Sequence, residues 1–116
     1  MKKGSDNMQL VELVRSLSKP KVSPIYKAIA YELDRPRRQR AKVNIGKLDA
    51  ITDDGETIVV PGKVLSAGPL KHKLNVAALS FSKQAELTIK KVGGKAMSIA
   101  QLVKDNPKGT DVAIVK

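Results

Sequence analysis

The first apolar positions of the chain follow a helical period. They are spaced i, i+3, i+4 and i+7, at Leu10, Leu13, Val14 and Leu17. This spacing predicts a helix over residues 8–17 with one apolar face, capped by Asp6 or Asn7. The segment SKPKVSP then breaks the pattern, because its two prolines and two lysines are typical of a basic loop.

A second helical pattern follows directly. Ser23 and Pro24 have the residue types of an N-cap and a first helical residue, which predicts a helix over residues 24–33. The helix should end before Pro36, since a residue that precedes proline avoids the α-helical region.

After residue 40 the pattern changes to short Val- and Ile-rich segments. AKVNIGKLDAI and ETIVVPGKVLSA predict two short strands, with TDDGE as the turn between them, and KLNVAALSF predicts a third strand. Ser82 should cap a helix over residues 83–91 that ends at Gly93 and Gly94.

The last part of the chain continues this alternation. KAMSI predicts a short strand, and Ser98 and Gln101 have the spacing of a capping box for a helix over residues 99–104. DVAIV predicts a final strand. We therefore expect one α/β domain that comprises a helical part (1–34), a basic connector (35–42) and a mixed β/α body (43–116).

Composition adds a strong charge signal to this pattern. The chain has 116 residues, 41% of them apolar, no cysteine and a net charge of +11. A chain this basic usually binds a polyanion. Residues 1–47 hold 12 Lys/Arg and 4 Asp/Glu, a net charge of +8, whereas residues 48–116 hold 10 and 7, a net charge of +3. The partner should therefore contact the first half most.

The remaining chemistry is sparse. The apolar runs are too short to span a bilayer and the first residues lack the apolar core of a signal peptide, so we expect a soluble intracellular protein without membrane contact. Nothing indicates a cofactor, a metal or a small-molecule substrate. The acidic residues of the predicted turn region lack the alternation of a calcium loop. We interpret them as a solvated hairpin tip that points away from a polyanion. They are Asp49, Asp53, Asp54 and Glu56.

His72, the one histidine, allows two interpretations. Its position between Lys71 and Lys73 is typical of an exposed basic loop, and the functional alternative is a contact with phosphate or RNA. A Ser-His-Asp arrangement would need His72, and no apolar context orients it.

The segment RPRRQRAK, residues 35–42, contains five cations in eight residues. A solvated helix end would need only one or two of them. Membrane binding would need an apolar helix face beside them, which Pro36 interrupts. Nucleic acid fits best, because arginine can donate to two phosphate oxygens at once.

The predicted second helix has Lys27 as its only cation, so it is poorly suited to read the bases in a DNA groove. A folded RNA recognised by shape is the better fit.

Four segments in this order carry a family resemblance: DRPRRQRAKVNIGKL, VVPGKVLSAG, VAALSFSKQA and GGKAMSIAQLVKDNPKGTDV. Together they resemble the large-subunit ribosomal protein eighteen-e of archaea and eukaryotes, a relative of bacterial large-subunit protein fifteen. The similarity covers about residues 8–116. It implies a body of irregular β-β-α turns stacked into a short superhelix, and a structural role without catalysis. Because the chain stops soon after NPKGT, it resembles the compact archaeal form.

The resemblance also implies partners and contact residues. The partners would be large-subunit rRNA and neighbouring ribosomal proteins. The matched motifs place rRNA contacts at Arg35, Arg37, Arg38, Arg40 and Lys42, with Lys63 and Lys108 as weaker candidates. The basic loops add Lys19, Lys21, Lys71, His72 and Lys73. The alternative function is a free DNA- or RNA-binding regulator outside the ribosome.

Overall fold

A computed structural model describes residues 4–19, 22–34 and 40–116. Five helices and five strands follow one another in these segments. Their order is α1 (Gly4–Leu17), α2 (Pro24–Leu33), β1 (Ala41–Asn44), α3 (Ile45–Ile51), β2 (Thr57–Leu65), β3 (Asn75–Phe81), α4 (Lys83–Lys91), β4 (Lys95–Ser98), α5 (Ile99–Asp105) and β5 (Val112–Ile114). The predicted α/β class is confirmed.

The strands form one parallel sheet in the order β1-β2-β3-β4. One edge of β2 pairs with β3. The other edge is shared by β5, which pairs with Thr57–Val59, and β1, which pairs with Gly62–Leu65. The family resemblance implies a body of irregular stacked β-β-α turns. In the structure this body is a continuous parallel sheet whose strands are joined by helices and loops.

The sheet is apolar on both faces, as parallel sheets are when helices cover both of them. On β2, Ile58 and Val60 face a core that includes Leu48 of α3 and Ile89 of α4. Val59 points the other way, into a core formed largely by the N-terminal helices and α5. That second core contains Leu17, Tyr26, Ile29, Ala30, Leu33, Ala77, Ile99 and Leu102.

Residues 45–51 form a helix, and the strand predicted there is wrong. Asn44 has extended backbone angles and precedes the first turn, and the buried side chains of Ile45 and Leu48 lie three residues apart, on one helix face. The predicted hairpin is wrong for the same reason, because TDDGE joins α3 to β2 in a parallel arrangement. Val43 and Ile45 alternate as in a strand, so the change to helix at Asn44 leaves little local signal.

The other predicted helices are confirmed with small changes at their ends. α2 begins at Pro24, and the hydroxyl groups of Ser82 and Ser98 accept the predicted capping hydrogen bonds from the N–H groups of Ala85 and Gln101, both at 3.1 Å. α1 begins at Gly4, so the cap predicted at Asp6 or Asn7 is wrong.

Of the predicted connector, residues 35–39 lie outside the described residues, and β1 already begins at Ala41.

Candidate nucleic-acid interface

The register of the sheet brings two predicted contact residues together. Lys42 on β1 and Lys63 on β2 are direct cross-strand partners, although 21 residues separate them in the chain. Their neighbours Val43 and Val64 are buried in the core on the side of α3 and α4, so both lysines belong to the opposite face. Both lysines are exposed there. Within the described residues, neither ammonium group has a hydrogen-bond or ion-pair partner.

Gly62 makes this close pairing possible. It lies opposite Ala41 in the register, and a Cβ atom at Gly62 would overlap the carbonyl oxygen of Ala41. Any other residue type would push β1 away from β2 at the position that precedes Lys63. The glycine of the PGK segment is therefore a requirement of the strand spacing under the two lysines.

Arg40 connects this surface to the end of α2. Its Nε donates a hydrogen bond to the carbonyl oxygen of Leu33 at 3.2 Å, and the side chain is half-buried. A cation at this position also suits the negative end of the helix dipole. Arg40 is thus partly a structural residue as well as a candidate for RNA contact.

A second group of cations lies near the beginning of α2. Lys19 follows α1, and Lys108 lies in the loop between α5 and β5, and both are exposed. Ser23 links the two regions, because its hydroxyl group donates to the carbonyl oxygen of Lys108 at 2.9 Å. Lys21, like Arg35, Arg37 and Arg38, lies outside the described residues.

The basic loop 71–73 lies at the amino ends of the strands and is held by carboxylates. Asp49 accepts a hydrogen bond from the backbone N–H of Lys71 at 2.8 Å, and Asp54 accepts one from that of Lys73 at 3.0 Å. The acidic segment therefore packs beside the basic loop, whereas the sequence predicts a solvated hairpin tip. These carboxylates weaken the attraction of Lys71 and Lys73 for a polyanion.

The ring of His72 is directed toward hydrogen-bond acceptors. Its Nδ1 lies 3.0 Å from the carbonyl oxygen of Lys73, and its Nε2 lies 3.3 Å from the carbonyl oxygen and 3.5 Å from the Oδ1 of Asp49. Because a carbonyl oxygen can only accept, this environment favours a proton on both ring nitrogens. The pKa of His72 is raised, chiefly by the Lys73 carbonyl. Burial opposes this effect, and the carbonyl and charge of Asp49 and the charge of Asp54 add smaller increases.

The sequence did not identify Ser80 as a neighbour of the two lysines. Ser80 is the exposed partner of Lys63 on the other side, on β3. Extending the register of Val60 and Ala78 would place Phe81 opposite Lys63, but the pairing shifts by one residue between Val60 and Lys63. The available signal is Pro61-Gly62, which lies within the shift, because proline and glycine inside a strand often mark a bulge.

No helix within residues 4–19, 22–34 and 40–116 is long and apolar enough to cross a membrane. No group of three or more His, Cys, Asp or Glu side chains in that part of the chain could hold a metal ion.

These features together indicate the class of protein to which the chain belongs. A basic α/β protein with exposed lysines that lack carboxylate partners on one sheet face is typical of nucleic-acid-binding proteins. A family model described as "Ribosomal protein 60S L18 and 50S L18e" matches residues 2–116. The chain belongs to this family.

The chain is similar in sequence to curated relatives over nearly their whole length. The chain is 40% identical to large ribosomal subunit protein eL18 of Archaeoglobus fulgidus over 116 residues, which cover 99% of each chain. It is 40% identical to the protein of that name from Methanopyrus kandleri, over 97% of this chain and 95% of the relative. For the Sulfurisphaera tokodaii relative the identity is 42%, again over 97% and 95%.

Proposed function

We propose that this chain is a structural constituent of the large ribosomal subunit and that it binds and stabilises folded rRNA through phosphate contacts. Family membership supports the ribosomal role, since the relatives carry the name large ribosomal subunit protein eL18. The structural observation that carries the RNA contact is the exposed pair Lys42 and Lys63, fixed side by side by the sheet.

The mechanism is neutralisation of phosphates that RNA folding brings close together. Cations on a folded protein lower this repulsion and release counterions, so binding should weaken as salt rises. The main contact set is Arg35, Arg37, Arg38, Arg40, Lys42 and Lys63. Phosphate contacts of this kind position the protein on the RNA, and the shape of the folded RNA supplies recognition.

The other candidate residues would extend this surface or contribute less. Lys19 and Lys108 would extend it along α2, because Ser23 joins the loop of Lys108 to the start of that helix. Lys21 remains a candidate from its charge in the sequence alone. Lys71, His72 and Lys73 would contribute less, because Asp49 and Asp54 are hydrogen-bonded to the same loop.

The proposed role involves no catalysis. Among the described residues, the constellation that resembles a catalytic triad is Thr52, His72 and Asp49, and its geometry does not suit proton transfer. Thr52 and Asp49 both lie on the Nε2 side of the imidazole, and the Thr52 hydroxyl group donates to the carbonyl oxygen of Leu48. A triad needs the hydroxyl group and the carboxylate on opposite ring nitrogens.

The proposed partners are large-subunit rRNA and neighbouring ribosomal proteins, in cytoplasmic ribosomes, with no membrane or small-molecule substrate. Sedimentation of cell extract through a high-salt gradient tests this. We expect the chain to sediment with large subunits. A regulator outside the ribosome would wash off and remain at the top of the gradient, which would overturn the proposal.

Crosslinking in intact ribosomes gives the contact surface. The expected crosslinks join large-subunit rRNA to Lys42 and Lys63, with few from Asp53 or Asp54, because carboxylates repel phosphate. Crosslinks concentrated instead at residues 71–73 would move the RNA surface to the other end of the sheet.

A further inference from the structure

Three polar side chains form one row across neighbouring strands. Lys42 on β1 pairs in register with Lys63 on β2, which pairs in turn with Ser80 on β3. All three residues are exposed. Below the pair, Val43 and Val64 are buried in the core and fix the two strands from the other face.

We infer that this row is a binding site for a single RNA phosphate, which the two lysines hold between them. The inference rests on the proposed function and deepens it, because it identifies a bidentate site where the sequence suggests two unrelated cations. Nothing in the chain sequence links Lys42, the end of the arginine-rich segment, with Lys63, a weaker candidate 21 residues later.

The strand spacing suits one phosphate. Adjacent strands lie about 4.7–4.9 Å apart, so two side chains that leave them in parallel can bring their ammonium groups to a similar separation. Charge-assisted N–H···O hydrogen bonds are about 2.7–2.9 Å long. Each ammonium group can therefore donate to a different oxygen of the same phosphate. Without an anion, two neighbouring positive charges repel, and no carboxylate among the described residues relieves this repulsion.

The base of the site is rigid before RNA arrives. Four consecutive residue pairs join β1 to β2, and Gly62 keeps the backbones close at the position beside Lys63. Only the two lysine side chains lose freedom on binding, so the cost of ordering is confined to them. This site thus differs from a binding surface that forms only when an extended basic segment folds onto RNA.

Ser80 adds a neutral hydroxyl group to the row beside the lysine pair. Its hydroxyl group can both donate and accept, and it lies on the far side of Lys63 from Lys42. In that position it can contact a sugar that follows the bound phosphate, and the ribose 2′-OH is the group that distinguishes RNA from DNA.

Salt titrations of binding to a large-subunit rRNA fragment test the shared phosphate. The variants are Lys42→Gln, Lys63→Gln and the double change, with Lys83→Gln/Lys91→Gln as a control that removes two exposed lysines from α4, on the other face. One shared phosphate predicts that the double change lowers the slope of log affinity against log salt by about 0.7–0.9. The effects of the single changes on affinity should not multiply, because they act on one contact.

Several outcomes would overturn the inference. A fall of about 1.4–1.8 in the slope of the double variant would indicate two separate phosphates. A slope as unaffected as that of the control, with wild-type binding intact, would reject the site and leave the proposed function standing. Lys42→Arg/Lys63→Arg should retain the wild-type slope, and melting curves should show all variants folded.

A second measurement needs no rRNA. Titration of the free protein with inorganic phosphate, followed by NMR, should shift the amide signals of Lys42, Lys63 and Ser80 in wild type and leave residues 42 and 63 unshifted in the double Gln variant. If wild type does not bind the rRNA fragment, the proposed function fails and this titration alone decides the site. Absence of these shifts in wild type would overturn the inference.

Discussion

Tyr26 on α2 donates its hydroxyl hydrogen to the carbonyl oxygen of Asn106, at the end of α5 and 80 residues later in the chain. The Tyr26 side chain is completely buried in the core of the helical face. The backbone N–H of Asn106 donates to the carbonyl oxygen of Leu102 within α5, and its side chain is hydrogen-bonded to the backbone of Thr110 in the loop that leads to β5. Tyr26 thus fastens the first part of the chain to the last.

Tyr26→Phe should lower the free energy of unfolding by about 0.5–1.5 kcal/mol, since it removes this hydrogen bond and keeps the ring in place. Tyr26→Ala should lower it by about 3–5 kcal/mol, because a large cavity is added. Denaturant melts of both variants give these values. Neither should change the salt slope of rRNA binding at temperatures where the variant is folded. A change of slope would mean that this contact also shapes the RNA surface.

His72 should make the stability of the free protein depend on pH. The raised pKa means that the folded state holds the proton more tightly than the unfolded state, whose value is near 6.5. The stabilisation is complete below pH 6.5 and is lost as the pH rises through the folded-state pKa. His72→Gln should flatten the pH dependence of stability above pH 6.5. Asp49→Asn should reduce the dependence without removing it, since the Lys73 carbonyl is the larger cause.

Equal stability curves for wild type and His72→Gln across this range would show that the ring has no net preference for its charged form. Denaturant melts at closely spaced pH values, at constant ionic strength, make the comparison.

Substitution of the arginines of the basic segment should have two kinds of effect, one on RNA binding alone and one on both RNA binding and stability. Arg37→Gln/Arg38→Gln should lower the salt slope of rRNA binding by about 1.4–1.8. Their side chains are predicted from the sequence to be exposed, so stability should change by less than about 0.5 kcal/mol per site. Arg40→Gln should in addition cost about 0.5–1.5 kcal/mol of stability, because the bond to the Leu33 carbonyl is lost.

Extending the double change to Arg40 should bring the total fall in slope to about 2–3. Salt titrations and melting curves of the same preparations distinguish the two effects. A double variant with an unchanged slope would place the RNA surface elsewhere, and a triple variant as stable as wild type would show that the Arg40 contact has no net value.

Gly62→Ala should destabilise the protein and disturb the lysine pair together. The added Cβ overlaps the Ala41 carbonyl, so β1 must move, and overpacking of this kind costs about 1–3 kcal/mol. The salt slope of rRNA binding should fall as well. Gly55→Asn is the control, because Gly55 has a φ of +82°, nothing lies within 4 Å of its added Cβ, and asparagine tolerates such backbone angles. Equal melting temperatures for the two variants would count against a special role for Gly62.

Local signals account for what the sequence predicted correctly. The start of α2 at Pro24 and the caps at Ser82 and Ser98 depend on residues within one helical turn, so they are visible in the sequence. The basic character of the interface was likewise visible as charge.

Long-range pairing accounts for what was missed. The partnership of Lys42 and Lys63 depends on parallel register, and that of Ser80 depends on a one-residue shift within the sheet. The sequence predicts a solvated hairpin tip for the acidic segment because nothing in it shows that the loops 52–56 and 71–74 meet at the amino ends of β2 and β3. Each of these relationships joins residues that are some 20 positions apart.

The division of one β2 edge between β1 and β5 has a consequence for synthesis of the chain. β2 can pair with β1 and β3 soon after residue 81 has left the translating ribosome, but the edge at Thr57–Val59 has no partner until residues 112–114 are made. Ile99 and Leu102, which complete the helical-face core, also come late. During translation the nascent chain therefore exposes an unpaired strand edge beside an open apolar face, the combination most prone to aggregation. Chaperone binding to nascent chains from which residue 81 has emerged, but residues 112–114 have not, would be the cellular sign of this interval.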